Sequence, residues 1–191
     1  MQEFEGVFLK VDVADLETKL ASLGAKKIGD YHYKRKVFDY PDLSLDKEAA
    51  WVRLRDEGDV ITLAFKKRLG VTGEAGDDSG MMEHEIEVSD FAATAEILKA
   101  IGLTEKFYLE NKRSRWKLDD VTFDFDSWPL LDTYLEIESS SDEKVDIAAE
   151  KLGLSLDDKL ICSTTQIYEM EGIRDKDYKT MTFNECVKRE N

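Results

Sequence analysis

Cysteine is nearly absent. Cys162 and Cys186 are the only two among 191 residues, too few for a disulfide framework, so a reducing cytoplasm is the expected setting. Histidine is equally scarce: with only His32 and His84 and no cysteine cluster, a zinc site is not expected. Any metal would be a hard cation on oxygen ligands. No apolar run approaches the ~20 residues of a membrane helix, and no signal peptide opens the chain, so no membrane partner is expected. Positive charge is short as well. Against 42 Asp and Glu stand 27 Lys and Arg, a net charge of −15 that argues against a nucleic-acid surface. An anionic ligand stays open, because a local arrangement can oppose the global sign.

What is present is enough for one folded domain with a real core: 42% of residues are hydrophobic, although 36% are charged. The organising feature is an acid pair on a strand. Glu3 and Glu5 flank Phe4, Glu85 and Glu87 flank Ile86, and Glu136 and Glu138 flank Ile137. Strand side chains alternate, so each pair shares a face. Each pair precedes a helical stretch. Asp12 caps one carrying Leu16, Leu20 and Leu23, Ser89 or Asp90 caps one carrying Phe91, Ile97, Leu98 and Ile101, and Ser141 caps one carrying Val145, Ala148, Ala149 and Leu152. Gly24, Gly102 and Gly153 end them, and the recurrence makes a weak internal repeat.

Between the helices the chain reads as strands over 36–40, 51–55, 60–66, 82–88, 112–118, 121–125 and 133–137. Asp56 to Asp59 is a hairpin turn, Asp119-Asp120 a second turn, and 70–80 a mobile loop. A short helix is expected from Ser163 to Glu171, with a loosely attached tail after it. Many antiparallel strands with few helices make this an α+β fold, a sheet closed into a barrel with helices outside it.

Charge is segregated by strand. Arg53 and Arg55 share a face, as do Arg113 and Arg115, Asp124 and Asp126, and the Glu pairs; Lys66 shares its face with Thr62 and Ala64. An ordinary half-exposed sheet also alternates apolar inside and polar outside. Here, though, each strand carries doubled charge of one sign. That suits a charged lumen with one carboxylate wall, which would hold divalent cations, and one basic wall, which would bind phosphate oxygens. Trp116 and Trp128 are expected in packing, His32 and His84 on the surface, and both cysteines as inert thiols.

The ordered set Glu3-x-Glu5, Trp51 to Gly58, Leu63 to Lys66, Glu85 to Glu87, Glu110 to Trp116, Asp124 to Pro129 and Tyr134 to Glu138 resembles the CYTH superfamily of triphosphate tunnel metalloenzymes, most closely its class IV adenylate cyclase-like branch. The resemblance covers about residues 1–155 as the tunnel domain and leaves 156–191 as a C-terminal helical extension and tail of the same domain. It implies a closed eight-stranded antiparallel barrel that takes ATP or tripolyphosphate with Mg²⁺ or Mn²⁺, and it is compatible with a homodimer. By position, Glu3, Glu5, Asp126, Glu136 and Glu138 become metal ligands, with Asp124 a weaker one. Arg53, Arg55, Lys66, Arg113 and Arg115 become phosphate contacts, joined by Glu85 and Glu87, which position the basic groups. Lys112 of the same motif is counted with the substrate-binding groups, although strand parity turns it away from Arg113 and Arg115. The implied catalytic groups are Glu5, Lys66 and Arg113.

One position departs. The family motif continues to a lysine where this chain has Val7, and Lys10, three residues on, lies on the other face of a regular strand unless Gly6 forms a bulge. Three functions follow: class IV-type adenylate cyclase, triphosphatase, and a tunnel that binds polyphosphate or nucleotide without turnover. On this reading Val7→Lys is expected to raise turnover.

Overall fold

Runs that alternate apolar and polar residues become strands, and the capped stretches between them become helices. The computed structural model describes residues 4–68 and 81–189, so Glu3 and the loop expected over 70–80 lie outside the described residues. In chain order the elements are β1 (Phe4–Phe8), α1 (Val13–Ser22), β2 (Lys26–Asp39), α2 (Ser44–Lys47), β3 (Ala50–Asp56), β4 (Ile61–Arg68) and β5 (Met81–Glu87). Then come α3 (Phe91–Ala100), β6 (Thr104–Leu118), β7 (Val121–Ser127), β8 (Tyr134–Ser139), α4 (Asp142–Lys151), α5 (Thr164–Met170), β9 (Tyr178–Met181) and β10 (Cys186–Lys188).

The three helices form after their strands as read, except that Leu23 falls at the C-cap of α1 and is exposed. Side chains of Asp12, Asp90 and Ser141 accept from the backbone N–H of Asp15, Ala93 and Lys144, giving each helix an N-cap. Gly24, Gly102 and Gly153 take φ of 86°, 100° and 77°, the left-handed exit that a residue without Cβ adopts freely. The apolar stripe of α3 is narrower than expected. Ala95 and Leu98 are buried, whereas Ile97 and Ile101 are 61% and 66% exposed.

The ladders follow the order β1-β8-β7-β6-β2-β3-β4-β5, with β9 on β6 and β10 on β9. This corrects the closed eight-stranded barrel: the sheet has ten strands, and among the described residues hydrogen bonds do not close it. Part of the reason is local, because the outer edge of β1 is already used. Val7 N–H donates to Leu160 O at 2.8 Å, and Leu160 N–H donates to Val7 O at 2.9 Å. The loosely attached tail is corrected too. β9 and β10 pair with each other, and β9 runs parallel to β6 at Tyr108 and Leu109, burying Met181.

By contacts the chain divides into two compact units, residues 1–32 with 111–177, and residues 33–110 with 178–191. In the first, Phe8, Phe123, Phe125, Leu135 and Ile137 from one sheet face pack against Leu16 and Leu20 of α1 and Val145, Ala149 and Leu152 of α4. In the second, Phe38, Leu54 and Leu63 pack against Ala95 and Leu98 of α3. Each unit thus packs these apolar residues against helices on one face of its sheet. None of the described helices is long and apolar enough to cross a membrane.

Candidate functional site

In the first unit the register puts the predicted charges on one face. Glu5 lies opposite Glu138, Val7 opposite Glu136, Glu136 opposite Asp124, Asp124 opposite Arg115 and Asp126 opposite Arg113. Directly paired residues project to the same side. The pairing of β1 is uninterrupted from Phe4 to Phe8, so Gly6 makes no bulge and Lys10 gains no place on this face.

Asp124 and Asp126 are each 1% exposed, and each is gripped by an arginine. Arg115 donates through Nε and Nη2 to both oxygens of Asp124, at 2.7 and 2.6 Å. Arg113 grips Asp126 in the same two-pronged way, reaches Asp124 through Nη1 at 2.7 Å, and has Glu136 3.6 Å from Nη2. Burial pulls the Arg113 pKa down, but hydrogen bonding and charge from Asp126, with Asp124 and Glu136, leave it above the usual arginine value. Such a network is stable only while both signs are present, because either partner alone would be a buried unpaired charge.

Glu136 differs from its neighbours. Burial raises its carboxyl to about 7; Arg113 opposes that rise, and Asp126, Glu5 and Asp124 add to it. A carboxyl crowded by like charge is a place where a cation would relieve repulsion. Among the described residues, no three His, Cys, Asp or Glu side chains are grouped as a ready metal centre. The donor chemistry nevertheless suits a hard cation at Glu5, Glu136 and Glu138, while Asp124 and Asp126 are committed to arginines.

Val7 faces the same side and is 1% exposed. It packs with Tyr134 and Ile167 of α5, bordered by Leu9, Trp128, Leu160 and Cys162. The segment above it is well anchored. Lys159 is bound by Asp142 and Asp146 at 2.6 Å each, Ser163 and Gln166 form a capping box, and Tyr168 Oη donates to Pro129 O at 2.8 Å. The place of the motif lysine is therefore occupied by an apolar cluster that residues 159–168 complete.

The second unit has its own charged face. Arg55 pairs with Thr62 and Thr62 with Glu87; Arg53 pairs with Ala64 and Ala64 with Glu85; Lys66 pairs with Glu83. Arg53 Nη2 lies 3.3 Å from Glu83 and 3.0 Å from Glu85, and Lys66 Nζ lies 3.1 Å from Glu83. Arg55 Nε is 3.1 Å from Glu57, but at an angle that makes no hydrogen bond. Among the described residues, Arg53 Nε, Arg55 Nε and Thr62 Oγ1 on this face are buried and meet no hydrogen-bond partner. Buried donors are rarely left so without a ligand or water to meet them.

Sequence reasoning missed two residues here. Glu83 extends the Glu85 and Glu87 face by one step of two, a parity that was available. Arg35 lies opposite Arg55, but the expected strand began one residue later, within the unbroken basic run 34–36. Lys112 is exposed and pairs with Ser127 on the opposite face from Arg113, as parity requires. Trp116 packs against the first core and donates to Glu17, and burial raises the Cys162 thiol, which disfavours its thiolate.

A CYTH domain model matches residues 1–166. The chain belongs to the CYTH family. A solved Pyrococcus horikoshii OT3 protein, PH1012, is 23% identical, with 83% of this chain and 94% of that one covered and a TM-score of 0.57. An adenylate cyclase candidate from Vibrio parahaemolyticus is 13% identical, with 87% and 97% covered and a TM-score of 0.61. An adenylyl cyclase candidate from Hippeastrum with a dominant triphosphatase activity is 13% identical, with 90% and 95% covered and a TM-score of 0.54. At these identities the likeness is one of fold. No curated protein matches this CYTH chain.

Proposed function

We propose that this CYTH chain is a divalent-metal-dependent enzyme acting on a nucleoside triphosphate, with cyclisation of ATP to cyclic AMP and pyrophosphate as the first reading. The observation that carries it is the set of unpartnered buried donors at Arg53, Arg55 and Thr62, beside Lys66. Phosphate oxygens are the acceptors that fit such a set, since guanidinium groups match them in geometry and charge. Glu83 and Glu85 hold Arg53 and Lys66 in place. Glu5, Glu136 and Glu138 would hold Mg²⁺ or Mn²⁺, which when bound supplies neutralisation of phosphate charge. Arg113 and Arg115 would act as positioning residues, through their contacts with Asp124, Asp126 and Glu136.

In cyclisation the ribose 3′-hydroxyl attacks the α-phosphorus and pyrophosphate leaves; in hydrolysis water attacks a terminal phosphorus. Either way Arg53, Arg55 and Lys66 would absorb charge on the equatorial and leaving oxygens. Hydrolysis is the second reading, favoured because every ligand-facing group named here addresses phosphate or cation. Binding without turnover is favoured by one residue, the buried Val7 in the lysine position.

Incubation with ATP and with tripolyphosphate, each with Mg²⁺ or Mn²⁺, separates the readings when cyclic AMP, pyrophosphate and phosphate are followed. Cyclic AMP supports the first reading and phosphate alone the second. Binding without product supports the third, and no binding of either triphosphate overturns all of them.

A further inference from the structure

The triphosphate reading gives no part to Trp51, although strand parity puts its indole on the charged face of the second unit with Arg53 and Arg55. Its direct partner on β4 is Lys66, so the indole lies beside the ammonium that Glu83 holds. The other two tryptophans are committed to packing. Trp116 borders the core of the first unit, and Trp128 borders the cluster around Val7. Trp51 joins none of the three apolar clusters, and among the described residues its ring makes no hydrogen bond or ring contact. A half-buried indole on a charged face, outside any apolar cluster, is an aromatic surface open to a ligand.

The register also gives this face a direction. Along β3 it runs Trp51, Arg53, Arg55, with Lys66, Ala64 and Thr62 opposite them in turn on β4. From Trp51 to Arg55 the strand advances about 13 Å. The buried donors that meet no partner, at Arg53, Arg55 and Thr62, all lie to one side of the indole.

Given the triphosphate reading, on which this rests, we propose that Trp51 is a specificity-determining residue that stacks on the base of the nucleotide. The triphosphate then runs from Lys66 and Arg53 toward Arg55 and Thr62. The α-phosphorus lies nearest the indole, and the terminal phosphate reaches Arg55. Substrates are therefore triphosphates carrying a flat aromatic ring, and inorganic tripolyphosphate lacks one of the two contacts. Every base has a π face, so the indole selects for a ring and not for adenine.

Calorimetric titration of the full chain with ATP, GTP and tripolyphosphate, each with Mg²⁺, tests this in the wild type, Trp51→Phe and Trp51→Leu. The leucine variant keeps an apolar side chain without a π face. It should lose tenfold or more in affinity for both nucleotides relative to tripolyphosphate, the scale of one stacked base, while Trp51→Phe keeps most of the wild-type preference. In the wild type, the indole N–H NMR signal that Trp51→Phe removes should move with ATP and far less with tripolyphosphate. Equal losses for all three ligands, undiminished nucleotide affinity in Trp51→Leu, or equal signal shifts would overturn the stacking role and leave the phosphate face standing. Binding of none of the three by the wild type would overturn the phosphate face and this role with it.

Discussion

Val7 and Leu160 exchange both of their backbone hydrogen bonds at the edge of β1, while the Val7 side chain is sealed beneath Ile167 and Tyr134. The substitution of the family lysine is thus part of a built cluster. This changes what Val7→Lys should do. Alone, it puts an ammonium into an apolar pocket with only Glu136 opposite, and stability should fall by ~1–3 kcal/mol with no gain in turnover. Combined with Ile167→Ala, which opens room and water access, product formation should rise. Thermal melts and the two-substrate assay check both halves; higher turnover from Val7→Lys alone would show that the cluster is no obstacle.

Arg113 should matter to folding before it matters to binding. Arg113→Ala leaves Asp124 and Asp126 short of counter-charge in a site that water barely reaches, at a cost of ~3–5 kcal/mol. The triple change Arg113→Met, Asp124→Asn and Asp126→Asn should recover much of that loss. Denaturant unfolding of the two variants is the measurement. Equal instability would mean that the network is not held together by charge balance.

Arg53→Glu should act the other way. Its guanidinium is partly exposed and bound by Glu83 and Glu85, so the fold should survive the change. Affinity for tripolyphosphate with Mg²⁺ should drop by roughly 100-fold, the scale of losing charged hydrogen bonds. Calorimetric titration reads this, and unchanged affinity would show that the charged face of the second unit does not bind the triphosphate.

The Glu136 carboxyl should give stability a pH dependence near neutrality. Burial raises it from an ordinary 4.5 to about 7, so the folded chain keeps a proton that the unfolded chain releases. Its contribution is fully present below about 4.5 and is lost as pH rises through about 7. Urea unfolding of the wild type should therefore weaken between pH 5.5 and 8.5 by on the order of 2 kcal/mol more than that of Glu136→Gln. Parallel pH profiles would place the titrating group elsewhere.

Much of this was legible in the chain. Period two places Glu5 with Val7, Arg53 with Arg55, and Arg113 with Arg115, because alternation is a property of any extended strand. The caps at Asp12, Asp90 and Ser141 and the glycines that end the helices were equally readable, since capping acts within a few residues. The short strands β9 and β10 were not, because three or four residues carry too little pattern and a parallel partner far along the chain decides their pairing. Arg35 was hidden for a related reason: in a run of three basic residues, parity appears only once the register with β3 is known.

The sequence by itself therefore determined which residues could share a face, which sign of charge each strand carries, and that Val7 breaks the motif. Only the tertiary structure decided which groups meet. It bound Asp124 and Asp126 to arginines and left Arg53, Arg55 and Thr62 with donors unspent. It also brought residues 159–168 across β1 to fill the lysine's place. The division has a physical cause: a side chain's direction follows from its own backbone, whereas its partner, its burial and its charge balance depend on other segments, on the next strand as for Arg115 and Asp124 or far along the chain as for Val7 and Leu160.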